Sequence, residues 1–238
     1  MKNKLSDFKK IIKFESSRRG DFDNLSYRPT FSASAIFYFM YDDNIDTKIS
    51  FLNYWKIKNS NKDVSCLFSI RDNLGKNIFR NFVKLKKNTY VFSIKKILKE
   101  NLGIKKLQGS VNVELFSTND LKFIYPAVDA IYETKNGVTL IHSNQRLLNE
   151  ISDKINNISL NQTQSGFDIY NDNEKHSFVV AINGSMEVKN RILKISFFNY
   201  LGKKFLKSFK FKSIKPFEII RIDFKKIKKL ESFLKNKK

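Results

Sequence analysis

The sequence predicts an all-β protein: two tandem antiparallel β-sandwich domains, the second incomplete, with short helices at the ends. Three observations lead there. Val64, Cys66, Phe68 and Ile70 alternate with Ser65, Leu67, Ser69 and Arg71, the two-residue period of a half-buried strand. Turn residues punctuate the chain at short intervals, with no amphipathic helix between the strands. And "DNLGKNIFRNF", Asp72–Phe82, returns as "NYLGKKFLKSF", Asn199–Phe209, 127 residues further on.

The first domain is expected over residues 26–145. Its strands are Ala33–Tyr41, Lys48–Lys58, Val64–Arg71, Lys76–Leu85, the run through Tyr90, Phe92 and Ile94, Gly109–Ser117, Phe123–Glu133 and Gly137–Ser143. Asp42-Asp43-Asn44, Asn59-Ser60-Asn61, Asp72–Gly75, Ser117–Asp120 and Lys135-Asn136-Gly137 separate them. Roughly eight short strands is an immunoglobulin-like count. Trp55 reads as core and Cys66 as an inert buried thiol.

Helical spacing is confined to the ends and the joint. Leu5, Phe8, Ile11 and Ile12 mark a basic, partly helical arm over residues 1–25. Leu147, Leu148, Ile151 and Ile155 mark a helical connector over 146–159. The second domain, 160–238, is expected to hold strands at Ser165–Tyr170, Ser177–Asn183, Arg191–Tyr200, Lys203–Ser213 and Glu218–Phe224.

Set against each other, the halves place Cys66, Phe68 and Ile70 on Leu193, Ile195 and Phe197, and Phe82 on Phe209. One further residue of offset brings Ile94 onto Ile222. Only 4 of 14 positions are identical between Asp72–Leu85 and Asn199–Lys212, and glycine turns are common, so the apolar alternation carries the duplication. After Phe224 nothing answers the last three strands of the first half. Lys225–Lys238 reads instead as a lysine-rich helical tail with Ile227, Leu230 and Phe233 or Leu234 on its inner face. Three devices would close the gap: that tail, a second copy of the chain, or a strand edge guarded by Lys204, Lys207, Lys210 and Lys212.

A formal charge of +22 suits an anionic partner, nucleic acid included. It equally suits a compositional bias toward Lys, Asn, Ile and Phe, because Arg, the better phosphate fork, supplies only 8 of the 45 basic residues. Half the excess lies in Lys203–Lys238, where 13 Lys and 1 Arg face Glu218, Asp223 and Glu231. A single cysteine excludes an internal disulfide and suits a reducing cytoplasm. No apolar run is long enough to span a membrane, and the N-terminus lacks the pattern of a signal peptide.

No metal-ligand spacing, phosphate-cradling glycine loop or nucleophile elbow occurs, so no metal, cofactor or catalytic residue is assigned. The densest polar segment is "IHSNQRLLNE", Ile141–Glu150. His142, Asn144 and Arg146 there suit a ligand site with an imidazole acid–base and an anion clamp. They equally suit an interdomain joint, with Asn144 or Ser143 capping a helix and Arg146 paired to Glu150. Tyr125, beside Pro126 in "FIYPAV", is either a stacking platform for a sugar or base, or a core residue at a bulge. The expected function is a non-catalytic cytosolic binding or protein-interaction module. Its alternatives are an accessory protein for an anionic glycan or nucleotide-sugar-like ligand, and a small hydrolase or transferase using His142–Arg146. Self-association through the incomplete second sandwich is the expected form of any homotypic contact.

The stretch "FSIRDNLGKNIFRNFVKLKKNTYVFSIKKIL" followed by "LQGSVNVELFSTNDLKFIYPAV" resembles small bacterial immunoglobulin-like sandwiches. Extended strand, glycine turn, return strand and a Gly-Ser-led strand follow in the same order. The layout is similar to that of the sensory rhodopsin transducer family, which are cytosolic binding proteins. The resemblance implies a fold and transfers no functional residue.

Overall fold

A computed structural model describes residues 31–119, 127–142, 168–169 and 177–235. The chain forms two compact units, Met1–Arg146 and Leu147–Lys238, and its class is all-β, built from antiparallel sheets.

In the first unit, strands β1 (Phe31–Tyr41), β6 (Leu107–Ser117), β3 (Ser65–Asp72) and β4 (Asn77–Lys84) form one sheet in that order. The other runs β5 (Thr89–Ser93), β2 (Ile45–Leu52), β7 (Val128–Thr134), β8 (Gly137–His142). Alternation decides which face is buried. Phe37 stands opposite Val111, and Val111 opposite Ile70, and all three are fully buried. Phe51 and Ile49 from β2, Val128 and Ala130 from β7, and Trp55 join the same core. Cys66 is buried there too, where burial pushes its thiol up to about 12.

Two short helices depart from the all-strand reading. The strand expected over Lys48–Lys58 ends at Leu52, and helix α1 (Tyr54–Asn59) follows. Asn53 starts it, its side-chain oxygen accepting from the Lys56 amide at 3.3 Å. Trp55 is thus core, but from a helix. Helix α2 (Ile94–Leu102) likewise interrupts the run through Ile94. Ser93 caps it, and Asp46 accepts from the Lys95 amide and the Ser93 hydroxyl, each at 2.9 Å. Gly103 ends it at φ +64, a conformation that costs glycine no Cβ clash. Ile94 and Leu98, one turn apart, are the only fully buried residues of α2, too short a signal to outvote the strand before it.

The second unit holds β9 (Phe178–Ile182), β10 (Val188–Phe198), β11 (Lys204–Ile214) and β12 (Ile219–Asp223), paired as β10–β11 and β12–β9. A 3₁₀ turn (Phe224–Lys226) and helix α3 (Leu230–Lys235) follow. Ile227 and Leu230 are buried and Phe233 and Leu234 pack partly against the core, as the helical spacing of the tail predicts. The arm 1–25, the connector 146–159 and most of the strand predicted at Ser165–Tyr170 lie outside the described residues.

The two units share local structure atom for atom at several points. Asp72 Oδ1 accepts from the amides of Leu74 and Lys76, both at 2.9 Å; Asn199 Oδ1 accepts from those of Leu201 and Lys203, both at 3.0 Å. Gly75 and Gly202 take φ +82 and +71 in the two turns. Leu52 pairs with Thr89 in β2–β5, and Ile182 with Ile219 in β12–β9. In that register, 130 residues apart at both positions, the place of Ile94 is taken by Phe224 and that of Phe92 by Ile222, two residues from the pairing of Ile94 with Ile222 expected from sequence. Phe82 and Phe209 also part company. A β-bulge between Ile70 and Arg71 shifts the β3–β4 register, whereas the pairs of β10–β11 keep one register throughout. One extra residue flips every later side chain to the other face. Phe82 is therefore 63% exposed while Phe209 packs on the core.

Candidate functional site

The second unit carries a cleft of about 280 Å³ between β11 and β12, closed at one end by the 3₁₀ turn. Phe209, Phe211, Ile220, Ile222 and Ile227 form its apolar walls. Lys207, Arg221, Asp223 and Lys226 supply its polar groups. Asp223 bonds the Arg221 guanidinium at 3.0 Å and lies 3.6 Å from Lys226, and the guanidinium also sits over the Phe178 ring at 4.0 Å. Two cations thus share one carboxylate, and Lys207 adds a third positive charge to the lining. The arrangement can hold an anion beside an apolar surface.

Strand parity explains how a lysine came to be there. Lys207 pairs with Ile195, and the odd positions Phe205, Phe209 and Phe211 pack against the core. Lys204, Lys210 and Lys212 occupy even positions on the outer face, with Leu206, Ile192 and Phe198 exposed around them. Lys204 lies 5.9 Å from the centroid of the Phe198 ring. The four lysines expected as one basic edge are therefore divided: three outside, one lining the cleft.

His142 lies at the end of β8, directly across from Asp129. Its Nδ1 is 2.6 Å from Asp129 Oδ1, and the side chain is 58% exposed. The imidazole is held by a carboxylate on an exposed part of the sheet. Tyr125, Asn144 and Arg146 lie outside the described residues. Among the described residues no group of three His, Cys, Asp or Glu side chains is placed to hold a metal ion, and no helix is long and apolar enough to cross a membrane.

Two further polar features escaped sequence reasoning. Arg71, Ser110 and Asn112 are buried on neighbouring strands, with Arg71 across from Ser110 and Ser69 across from Asn112. Burial pushes the Arg71 guanidinium down, with Glu114 opposing. Among the described residues, the Ser110 hydroxyl and Asn112 side-chain oxygen have no hydrogen-bond partner. Their only sequence signal is a polar residue at every second position of a strand, which an exposed face gives equally. Asn53 and Asn183 are the second feature: both are buried and both follow a strand directly. Nothing in sequence separates them from ordinary turn asparagines.

No protein-family model, curated protein or solved structure matches this chain.

Proposed function

We propose that the chain is a non-catalytic protein-interaction module whose second unit takes up a partner strand along β10. The observation that carries this reading is a difference in pairing between corresponding strands. β3 is bonded on both sides, to β4 and β6, and β2 to β5 and β7. Among the described residues β10 is bonded to β11 alone and β9 to β12 alone. The second unit is read as a tandem copy of β2–β5 and α2, the core of an immunoglobulin-like sandwich, without further neighbours for its two inner strands among the described residues. The strand orders of the first unit support this reading, with β2–β5, β3–β6 and β3–β4 taken as the B–E, C–F and C–C′ neighbours of such folds and β1 and β7 in the places of G and A.

The state of the core supports the same reading. Among the described residues, the first core has 20 buried apolar side chains and 9 partly covered ones packed on them; the second has 8 and 10. An added strand covers such half-finished surface and satisfies the free amides and carbonyls of the edge. Charge selects its chemistry. β10 and β11 carry Lys189, Arg191, Lys194, Lys204, Lys207, Lys210 and Lys212 and no acidic residue. Two copies repel one another along this edge, whereas an acidic strand is attracted. The buried single thiol suits a cytoplasmic setting for this role.

Hydrogen exchange on the full chain tests the proposal, with a synthetic β6 peptide (Leu107–Ser117) carrying Glu at positions 108, 110 and 112 as probe. The amides of Arg191–Phe197 on the open side should exchange fast in the free monomer and slow when the peptide is added. Protection already present in the free monomer overturns the reading, as does indifference to the peptide. A dimer that protects β10 replaces the acidic partner with a second copy and overturns it equally.

A further inference from the structure

The cleft between β11 and β12 lies where the corresponding strand pair of the first unit carries three packed aromatic rings. The strand register places Phe51, Tyr90 and Phe92 of the first unit where the second has Ala181, Ile220 and Ile222. In the first unit the rings fill the space: Phe51 and Tyr90 stack at 5.4 Å between centroids, Phe92 stacks on Phe68 at 4.7 Å, and Phe51 lies 6.2 Å from Phe92. The Tyr90 hydroxyl accepts from the amides of Lys86 and Lys87 at 2.6 and 2.9 Å, tying that side of the layer down. Replacing three rings with an alanine and two isoleucines removes that filling. Close packing does not leave such space empty without loss of contact energy.

We infer that the cleft is a binding site for a small amphipathic anion, an apolar body carrying one carboxylate or phosphate. Its volume of about 280 Å³ is at the small end for ligand pockets, which begin near roughly 300 Å³. Phe209, Phe211 and Ile222 take the apolar body, where burial provides the affinity. The anionic group meets Lys207 from one wall and Lys226 from the other. Asp223 is the one carboxylate of the lining and pairs with both Arg221 and Lys226, so the lining, with Lys207, carries a net excess of positive charge. A neutral ligand leaves that excess unused, and a purely ionic one leaves the apolar walls wet. The site is independent of strand addition at β10, since its lining comes from β11, β12 and the turn after it.

Titration of the full chain with octanoate, octyl phosphate, octanol and inorganic phosphate, followed by nuclear magnetic resonance shifts, tests the site. Octanoate and octyl phosphate should both shift the amides of Phe209, Ile220 and Ile222, more tightly than octanol and with inorganic phosphate silent there. Ile222→Phe, which restores the ring of Phe92, should abolish the shifts. Lys207→Gln, a change on the exposed rim that leaves the fold intact, should weaken octanoate roughly two- to five-fold, the scale of one exposed charge contact. Octanol binding as tightly as octanoate overturns the proposal. So does failure of both amphipathic anions at millimolar concentration, or Lys207→Gln binding octanoate as well as the parent.

Discussion

Asn53 and Asn183 do the same work in separate units. Each stands directly after a strand, β2 or β9, and its side-chain amide donates to carbonyls on the approach to that strand's partner, with Asn183 also reaching Met186 in the turn after its own strand. Asn183 Nδ2 reaches the carbonyls of Met186 and Lys215 at 2.8 Å and of Ile214 at 3.3 Å. Asn53 Nδ2 reaches Leu85 and Lys87 at 3.5 and 3.4 Å. The backbone repeats the match: the Asn53 amide donates to the Asn88 carbonyl at 2.8 Å, and the Asn183 amide to that of Glu218 at 3.0 Å.

Shorter bonds to more acceptors make Asn183 the stronger of the two latches. Asn183→Ala leaves the carbonyls of Met186, Ile214 and Lys215 without that donor and should cost about 2–3 kcal/mol; Asn53→Ala, with longer bonds, about 1–2 kcal/mol. Urea unfolding of the two variants checks the order. Equal losses would show that the loops, rather than the side-chain bonds, set the stability there.

Gly109 is fixed by contact, not by backbone angle. A Cβ at this position would lie 1.9 Å from the Arg71 carbonyl oxygen and 2.8 Å from a Phe39 ring carbon. Neither the oxygen nor its strand can retreat without breaking the β3–β6 ladder. Gly109→Ala should therefore destabilise the first unit by about 3 kcal/mol or more, read as a fall in unfolding midpoint.

Cys66 combines complete burial with a thiol held up at about 12. At pH 8 the native protein should resist a thiol-reactive disulfide reagent, because the thiolate is the nucleophile and is both scarce and inaccessible. In strong denaturant the same residue should react fully. Native labelling as fast as denatured labelling would contradict the packed position of Cys66.

Asp63 is held below the usual carboxylate range, first by the Thr118 hydroxyl and then by the Lys84 ammonium at 3.3 Å. A depressed folded-state value contributes stability above the unfolded carboxyl range of about 4, and that contribution disappears as pH falls through the folded value. Asp63→Asn should accordingly be less stable than the parent at pH 7 and converge with it in acid. Unfolding midpoints at pH 7, 5, 4 and 3 follow the convergence.

The strands were legible because alternation and turn residues coincide. Gly75 and Gly202 announced two turns whose hydrogen bonds match, and Ile227 and Leu230 announced a tail that packs inward. α1 and α2 were not legible: Trp55, and Ile94 with Leu98, are too few buried contacts to show a helical period beside a strong strand signal. The division of the four lysines was legible in principle, since Lys207 differs in parity from Lys204, Lys210 and Lys212; reading them as one edge overlooked the pleat. The cleft was not, because it follows from what Ala181, Ile220 and Ile222 lack relative to Phe51, Tyr90 and Phe92. That comparison needs the 130-residue register, which the sequence match alone placed two residues away at Ile94.

The bulge at Ile70 and Arg71 also limits what a protein engineer can exchange between the halves. A chimera that transplants the return strand of one hairpin into the other, aligned on the shared Leu-Gly-Lys, would arrive out of phase. Phe209 and Phe211 would swap sides with Lys210 and Lys212, putting rings in water and ammonium groups into the core. The graft becomes viable only if the extra residue opposite Arg71 travels with its own strand.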